Sequence, residues 1–230
     1  MNYLGLKIKV GLWVLFMCAG IDTYSQSLSR NNWYFGNSTS GIRFNRVTGK
    51  ATLQPGKATP FGTAGNATAS DPSNANLIFY TDGANVFDLT HQIMPNGSGL
   101  NANPAGNQAV AIAAVPGQTN KYYVFTNTAL NTTGGIVSYS VVDMSLFGNA
   151  LFPAPALGNL EASKNVAISG LTNRSEAMIV LPHANGSDFW LITQQVSSQS
   201  YSVTLINAAT YPAGPFTTTT TTGLGLPMTA

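Results

Sequence analysis

Four clusters of aromatic residues recur along this chain at a nearly fixed interval, and that interval restricts the fold more than any other feature. They are Asn32-Trp33-Tyr34-Phe35-Gly36-Asn37, Leu77-Ile78-Phe79-Tyr80-Thr81-Asp82, Tyr122-Tyr123-Val124-Phe125-Thr126-Asn127 and Phe189-Trp190-Leu191-Ile192-Thr193-Gln194. Anchored on Gly36, Thr81, Thr126 and Thr193, their spacings are 45, 45 and 67, so the last is one period plus an insertion of 22. A repeat of roughly 40–50 residues is the period of propeller blades and other stacked supersecondary units.

Each cluster keeps similar company. Ala109–Val115 precedes the third, with a Pro116-Gly117 turn between, and Gly135–Val142 follows it. Glu176–Leu181 precedes the fourth, across an Asn185-Gly186 turn, and Tyr201–Ile206 follows it. Asp82-Gly83 and the short run Ala84–Leu89 follow the second. Apolar, β-branched and aromatic runs bounded by turn dipeptides predict strand, hairpin, strand. Asn-Gly and Asp-Gly supply the positive φ that tight hairpins demand. No segment sustains apolar spacing of three and four residues. Met144–Ser175, the least regular stretch, reads as a long loop with room for a short helix. The expected fold class is all-β: a β-propeller-like array of about four blades, each of about four antiparallel strands, forming an incomplete propeller. Within it the aromatic clusters read as buried central strands. The sharper alternative, a row of aromatics for carbohydrate, needs rings on the solvent-facing alternation.

The first residues point to export. Lys7 and Lys9 precede an apolar run of 11 residues, Val10–Gly20, followed by Thr23-Tyr24-Ser25-Gln26. This is the tripartite pattern of a secretory signal, with cleavage expected after Ser25 or Gln26. The run falls short of the about 20 residues a membrane-crossing helix needs. Cys18 as a lipidated residue is the minor reading, because Phe16 and Met17 are bulky. Residues 1–26 are thus assigned as signal peptide, and the mature product is expected outside the cell or on its outer surface, without a membrane span. Cys18 is the sole cysteine, so a mature chain of this kind has neither disulfide nor thiol nucleophile. Charged residues make up 8% of the chain and the net charge is +2. Nucleic acid and anionic membrane surfaces are therefore not expected partners.

Chemical constellations are sparse. The histidines are His91 and His183; each precedes an Asn-Gly pair, where a turn-orienting hydrogen bond is the plainer role, and neither has the companions of a zinc site or a serine triad. Past the leader the acids are Asp71, Asp82, Asp88, Asp143, Glu161, Glu176 and Asp188. Asp71, Asp82 and Asp188 sit at expected hairpins, where short acids bond the turn backbone. Arg30, Arg43, Arg46 and Arg174 are too few to suggest a sialidase-like site. Asp71-Pro72-Ser73-Asn74-Ala75-Asn76 alternates oxygen-bearing side chains but lacks the carboxylate number of a calcium loop. Asn-x-Ser/Thr triplets at Asn37, Asn66, Asn96, Asn131, Asn173 and Asn185 are expected by chance in this composition. No catalytic, cofactor-binding or metal-ligating residue is assigned, and no cofactor is expected. The run Thr217–Thr222 reads as a linker or a strand edge.

Several segments together carry a resemblance. They are Asn31–Gly36 with Gly41-Ile42-Arg43-Phe44, Ser70-Asp71-Pro72 leading into Asn76–Gly83, His91 with Met94-Pro95-Asn96-Gly97, and His183–Ile192. From about Asn31 to Pro212 the chain resembles the N-terminal propeller-like region of large bacterial cell-surface proteins associated with gliding motility and type IX secretion. The resemblance implies a WD40-like or YVTN-type propeller displayed outside the cell, followed by adhesion-type domains and a sorting signal. This chain departs from that pattern after Thr217–Thr222, so a fragment lacking downstream domains is expected. Its open array should expose a terminal blade face and be sticky. The domain reading is residues 1–26 signal peptide, 27–212 propeller-like domain, and 213–230 a Thr-rich tail or the start of a truncated further blade. The expected function is a non-catalytic secreted cell-surface binding or scaffold module, in adhesion or gliding, with an unidentified surface glycan or protein as ligand. The alternative is an extracellular polysaccharide hydrolase or lyase, which requires Asp71, Asp82, Asp88 and His91 or His183 to converge.

Overall fold

A computed structural model describes residues 31–223, apart from 37–38, 46, 58–60, 63–64 and 132. The expected signal peptide lies outside the described residues.

The chain is all-β and forms four antiparallel sheets in succession. Sheet 1 holds β1 (Asn32–Trp33), β2 (Ser40–Phe44) and β3 (Ala51–Pro55). Sheet 2 holds β4 (Ala67–Ser70), β5 (Leu77–Thr81), β6 (Asn85–Asp88) and β7 (Ile93–Ser98). Sheet 3 holds β8 (Val110–Ala114), β9 (Lys121–Asn127) and β10 (Val137–Asp143), with β11 (Asn159–Leu160) and β12 (Val166–Ala167) both paired to β10. Sheet 4 holds β13 (Arg174–Pro182), β14 (Phe189–Gln195), β15 (Ser200–Ile206) and β16 (Thr217–Thr222). Each sheet is a meander, its strands neighbouring in chain order, and none closes into a barrel. The result is an incomplete propeller-like array.

The second, third and fourth aromatic clusters fall on β5, β9 and β14, each the second strand of its sheet. Such a strand has neighbours on both edges and at least one face against the next sheet, which explains why Phe79, Tyr80, Tyr123, Val124, Phe125 and Leu191 are all fully buried. Burying each such side chain favours folding by roughly 1.5–3 kcal/mol. The first cluster behaves differently. Only Asn32 and Trp33 pair, with Arg43 and Ile42 of β2, and β1 is an edge strand. Tyr34 leaves the ladder to stack on Tyr80 at 4.6 Å, and Gly36 turns the chain with φ +62°. The four clusters are therefore not equivalent: three are interior strands and the first is an edge.

The first strands of the sheets form a common inner rank, β1 packing beside β4, β4 beside β8, and β8 beside β13. Cores lie between successive sheets. Tyr34, Phe61, Tyr80 and Phe87 join sheets 1 and 2. Phe79, Val86, Met94, Val110, Val124 and Val142 join sheets 2 and 3. Tyr123, Phe125, Tyr139, Met178, Leu191 and Ile206 join sheets 3 and 4.

Two local features differ from the sequence reading, and a third, Thr217–Thr222, takes the strand edge that reading offered beside a linker. Met144–Ser175 holds no helix; its outer strand is split, β11 pairing at Val142 and Asp143 and β12 at Ser138 and Tyr139. Asn96-Gly97 is not a hairpin turn but an irregularity within β7, where Asn96 has φ +58° and a Cβ on Gly97 would meet the Met94 carbonyl at 2.7 Å. Thr217–Thr222 is the outer strand of sheet 4, paired residue for residue with Ser200–Leu205, so the fourth sheet runs on to Thr222.

Candidate functional site

In each four-stranded meander the turns between strands one and two, and between three and four, share one end. The turn between strands two and three shares the other end with the connection to the next sheet. This arrangement places the polar residues. Asp71, in the β4–β5 turn, accepts from the Ser73 amide at 2.7 Å and its hydroxyl at 2.6 Å. Asp88, at the end of β6, does the same with Thr90 at 2.8 and 2.6 Å. Asp143, at the end of β10, does so with Ser145 at 2.8 and 2.5 Å. One Asp-x-Ser/Thr cap thus recurs three times at the turn end, and the three triplets are visible in the sequence. At Asp71 these bonds, the Ser73 hydroxyl first, hold the carboxyl below its ordinary range. Arg43 donates to the Asn74 carbonyl at 3.3 Å and the Asn76 side chain at 3.2 Å. The oxygens of the calcium-like segment are thereby committed to its own turn and to sheet 1.

Asp82 lies at the opposite end of sheet 2, accepting from the Ala84 and Asn85 amides at 3.0 and 2.7 Å. His91 shares the Asp88 turn, its amide donating to the Asp88 carbonyl at 3.0 Å, while its Nδ1 meets the Tyr80 hydroxyl at 3.1 Å. Burial lowers its pKa, against the opposing field of Asp88. His183 sits in the β13–β14 hairpin of sheet 4, where its Nδ1 accepts from the Asn185 amide at 3.1 Å. The set named for polysaccharide hydrolysis is therefore dispersed over both ends of sheet 2 and a hairpin of sheet 4. Among the described residues no three His, Cys, Asp or Glu side chains cluster as a metal site, and no helix is long and apolar enough to cross a membrane.

Sequence reasoning missed two polar clusters, because their members are far apart in the chain. Lys121, at the start of β9, bonds both Asp143 and Glu161, and the Tyr211 hydroxyl donates to Glu161 at 3.1 Å. Burial opposes the Lys121 charge, but the two carboxylates outweigh it and raise its pKa. At Asp143 burial is likewise overcome, by the bonds from Lys121 and Ser145, and its pKa is lowered. Glu176, on β13, accepts from the Asn107 and Asn131 amides at 2.8 and 2.5 Å, which lower its pKa. Both clusters tie sheet 4 to sheet 3.

A concave feature lies at the inner rank, between β1 and β4. It is a cleft of about 300 Å3 lined by Asn32, Trp33, Tyr34, Phe35, Asn66, Ala67 and Thr68. No lining residue is charged. Alternation along the first aromatic cluster buries Tyr34 and leaves Trp33 and Phe35 52% and 42% exposed. One wall is fixed by Asn32, whose amide donates to Ser70 Oγ at 2.9 Å and the Ala75 carbonyl at 2.7 Å. Next along the chain from Phe35, the Gly36 carbonyl accepts at 2.6 Å from the ammonium of the buried Lys57, which lies 4.3 Å over the Phe61 ring. Aromatic faces beside amide and hydroxyl groups, without charge, suit a neutral polyhydroxylated ligand.

Searches against protein-family models, curated proteins and solved structures return no match to this chain.

Proposed function

We propose that this chain is a secreted, non-catalytic binding and scaffold module of the outer cell surface, and that its ligand is a neutral surface glycan held in the cleft between β1 and β4. The observation that carries the reading is the uncharged cleft with Trp33 and Phe35 exposed on its border and Asn66 and Thr68 in its wall. Export is supported by the tripartite pattern of residues 1–26. Placement at the surface, in adhesion or gliding, draws on the resemblance of the Asn31–Pro212 segments to propeller-like regions of type IX-secreted proteins. A propeller-like array suits such work because its loops gather at the blade ends and display a ligand site on a rigid frame.

A neutral-glycan array probed with the purified chain, alongside Phe35→Ala and Asn66→Ala, tests the reading. It expects capture of at least one uncharged oligosaccharide, with affinity lowered about tenfold or more in either variant at unchanged thermal midpoint. Absence of capture, or variants that bind as the parent does, would overturn it.

A further inference from the structure

The connection between β10 and β11, residues Met144–Gly158, leaves sheet 3 at the turn end and carries an apolar tip. Leu151 and Phe152 are 83% and 84% exposed there, and Leu146 and Phe147 are exposed below them. No charged residue falls between Asp143 and Glu161 in the sequence. The two polar side chains of the loop are both used at its base. The Ser145 hydroxyl donates to Asp143 at 2.5 Å, and the Asn149 side-chain amide donates to Asp88 at 2.8 Å and to the Ile93 carbonyl at 2.9 Å. That anchor sets the loop against the β6–β7 turn, where Leu89 and Ile93 are also exposed. Much of the loop backbone closes on itself. The Leu157 and Gly158 amides donate to the Phe147 and Leu146 carbonyls at 3.0 and 2.9 Å. The Ala150 and Ala154 amides close turns onto the Phe147 and Leu151 carbonyls at 3.0 and 2.8 Å. Pro153 and Pro155 have no amide hydrogen to satisfy. The rings of Phe147 and Phe152 meet edge to face at 6.2 Å.

Clustered exposed apolar side chains mark an interaction surface, and three observations bear on what this one meets. The tip is convex, because Leu151 and Phe152 have almost nothing beside them. A protein partner would have to supply a matching cavity, whereas a bilayer closes around any shape. The loop also brings few unbonded amides, which an apolar medium penalises. Finally, it stands on sheet 3, which packs between sheets 2 and 4, so a sheet added at either end of the array stacks elsewhere. We propose that this loop inserts Leu151 and Phe152 into the headgroup–acyl boundary of a neutral lipid surface, seating the array on a membrane without crossing it. Insertion of this kind reaches roughly 5–10 Å into the interface. The loop carries no cation, so the contact calls for no anionic lipid. It uses no residue of the cleft between β1 and β4, and its outcome is independent of the glycan reading.

Flotation of the purified chain with phosphatidylcholine vesicles tests this, alongside Leu151→Asp, Phe152→Asp and Phe152→Trp. The parent is expected to float with the vesicles in proportion to lipid, equally at low and high salt. Each aspartate variant should lower partitioning about tenfold or more. Both positions are exposed, so the variants keep the fold, which circular dichroism verifies. The added emission of Phe152→Trp, over that of the parent, should shift to the blue on vesicles and be quenched by lipid brominated high on the acyl chain. A chain that stays in the buffer at every lipid concentration overturns the proposal and leaves the loop to a protein partner. Flotation abolished by high salt overturns it as well, since an uncharged tip is not held by charge. So do aspartate variants that float as the parent does, or unshifted emission from Phe152→Trp on a chain that floats, because either puts the lipid contact elsewhere.

Discussion

Thr126 of β9 donates its hydroxyl to the side-chain oxygen of Asn101 at 2.5 Å, while the hydroxyl of Thr193, its counterpart on β14, has no hydrogen-bond partner among the described residues. Both threonines are buried. The pair separates the cost of a polar group inside this core from the benefit of a bond made there. A buried hydroxyl without a partner costs about 1–3 kcal/mol. Thr193→Val keeps the shape and removes the hydroxyl, so it should raise stability by about 1 kcal/mol. Thr126→Val should lower it by a similar or larger amount, leaving Asn101 Oδ1 short of a donor. Urea unfolding of the two variants checks this, and a loss of stability in Thr193→Val contradicts it.

The Lys121 cluster sets the pH response. Asp143 and Glu176 have lowered pKa values, so their contribution is complete above the ordinary carboxylate pKa and is lost as pH falls through the depressed values. Lys121 is raised, so its contribution is complete below the ordinary lysine value and is lost only as pH climbs through the raised one. The urea midpoint should therefore begin to decline as pH drops below the ordinary histidine value of 6.5, because burial lowers the His91 pKa, and fall further below about pH 4 as the carboxylates protonate. Lys121→Met leaves Asp143 and Glu161 without the shared cation and should cost about 1.5–3 kcal/mol at neutral pH. That cost should shrink on acidification, as protonation relieves the buried Asp143 carboxylate. A variant whose deficit is independent of pH would remove the electrostatic account.

Two glycines distinguish backbone strain from crowding. Gly186 has φ +75° in the β13–β14 hairpin, with open space where a Cβ would stand. Gly186→Ala should cost only the left-handed penalty of roughly 1–2 kcal/mol. Gly83 has φ +83° in the β5–β6 turn, and a Cβ there would stand 2.6 Å from that of Ala102. Gly83→Ala should cost roughly 1–3 kcal/mol more, from overpacking. Thermal denaturation that ranks the two equally would show that the turn yields freely at Gly83.

Much of the fold is legible in the sequence, and the parts that are not have physical causes. The 45-residue period and the turn dipeptides announce repeated antiparallel hairpins, and three aromatic clusters mark second strands. The first cluster has the same composition yet sits on an edge, because composition reports apolar character and not how many strands flank it. Thr217–Thr222 looks like low complexity, but threonine is a good strand former, and its partner Ser200–Leu205 is supplied by tertiary pairing. The split pairing of β11 and β12 with β10 leaves two-residue signals too short for periodicity to show. Within the site, Trp33 and Phe35 are readable as aromatics but not as exposed ones, since alternation fixes two faces without saying which is outward. Asn66 and Thr68 join them only because β4 packs beside β1. Lys121, Asp143 and Glu161 likewise meet through register, Lys121 standing directly opposite Asp143.

The cleanest probe of the architecture is residue-resolved amide hydrogen exchange, because protection follows strand position within each sheet. Amides of β5, β9 and β14 should be the slowest to exchange, at comparable rates, while those of β1 and β16 exchange fast as edges. Fast exchange across Phe79–Thr81, Tyr123–Thr126 or Leu191–Thr193, or protection of Asn32–Trp33 equal to theirs, would contradict the arrangement of four successive antiparallel sheets.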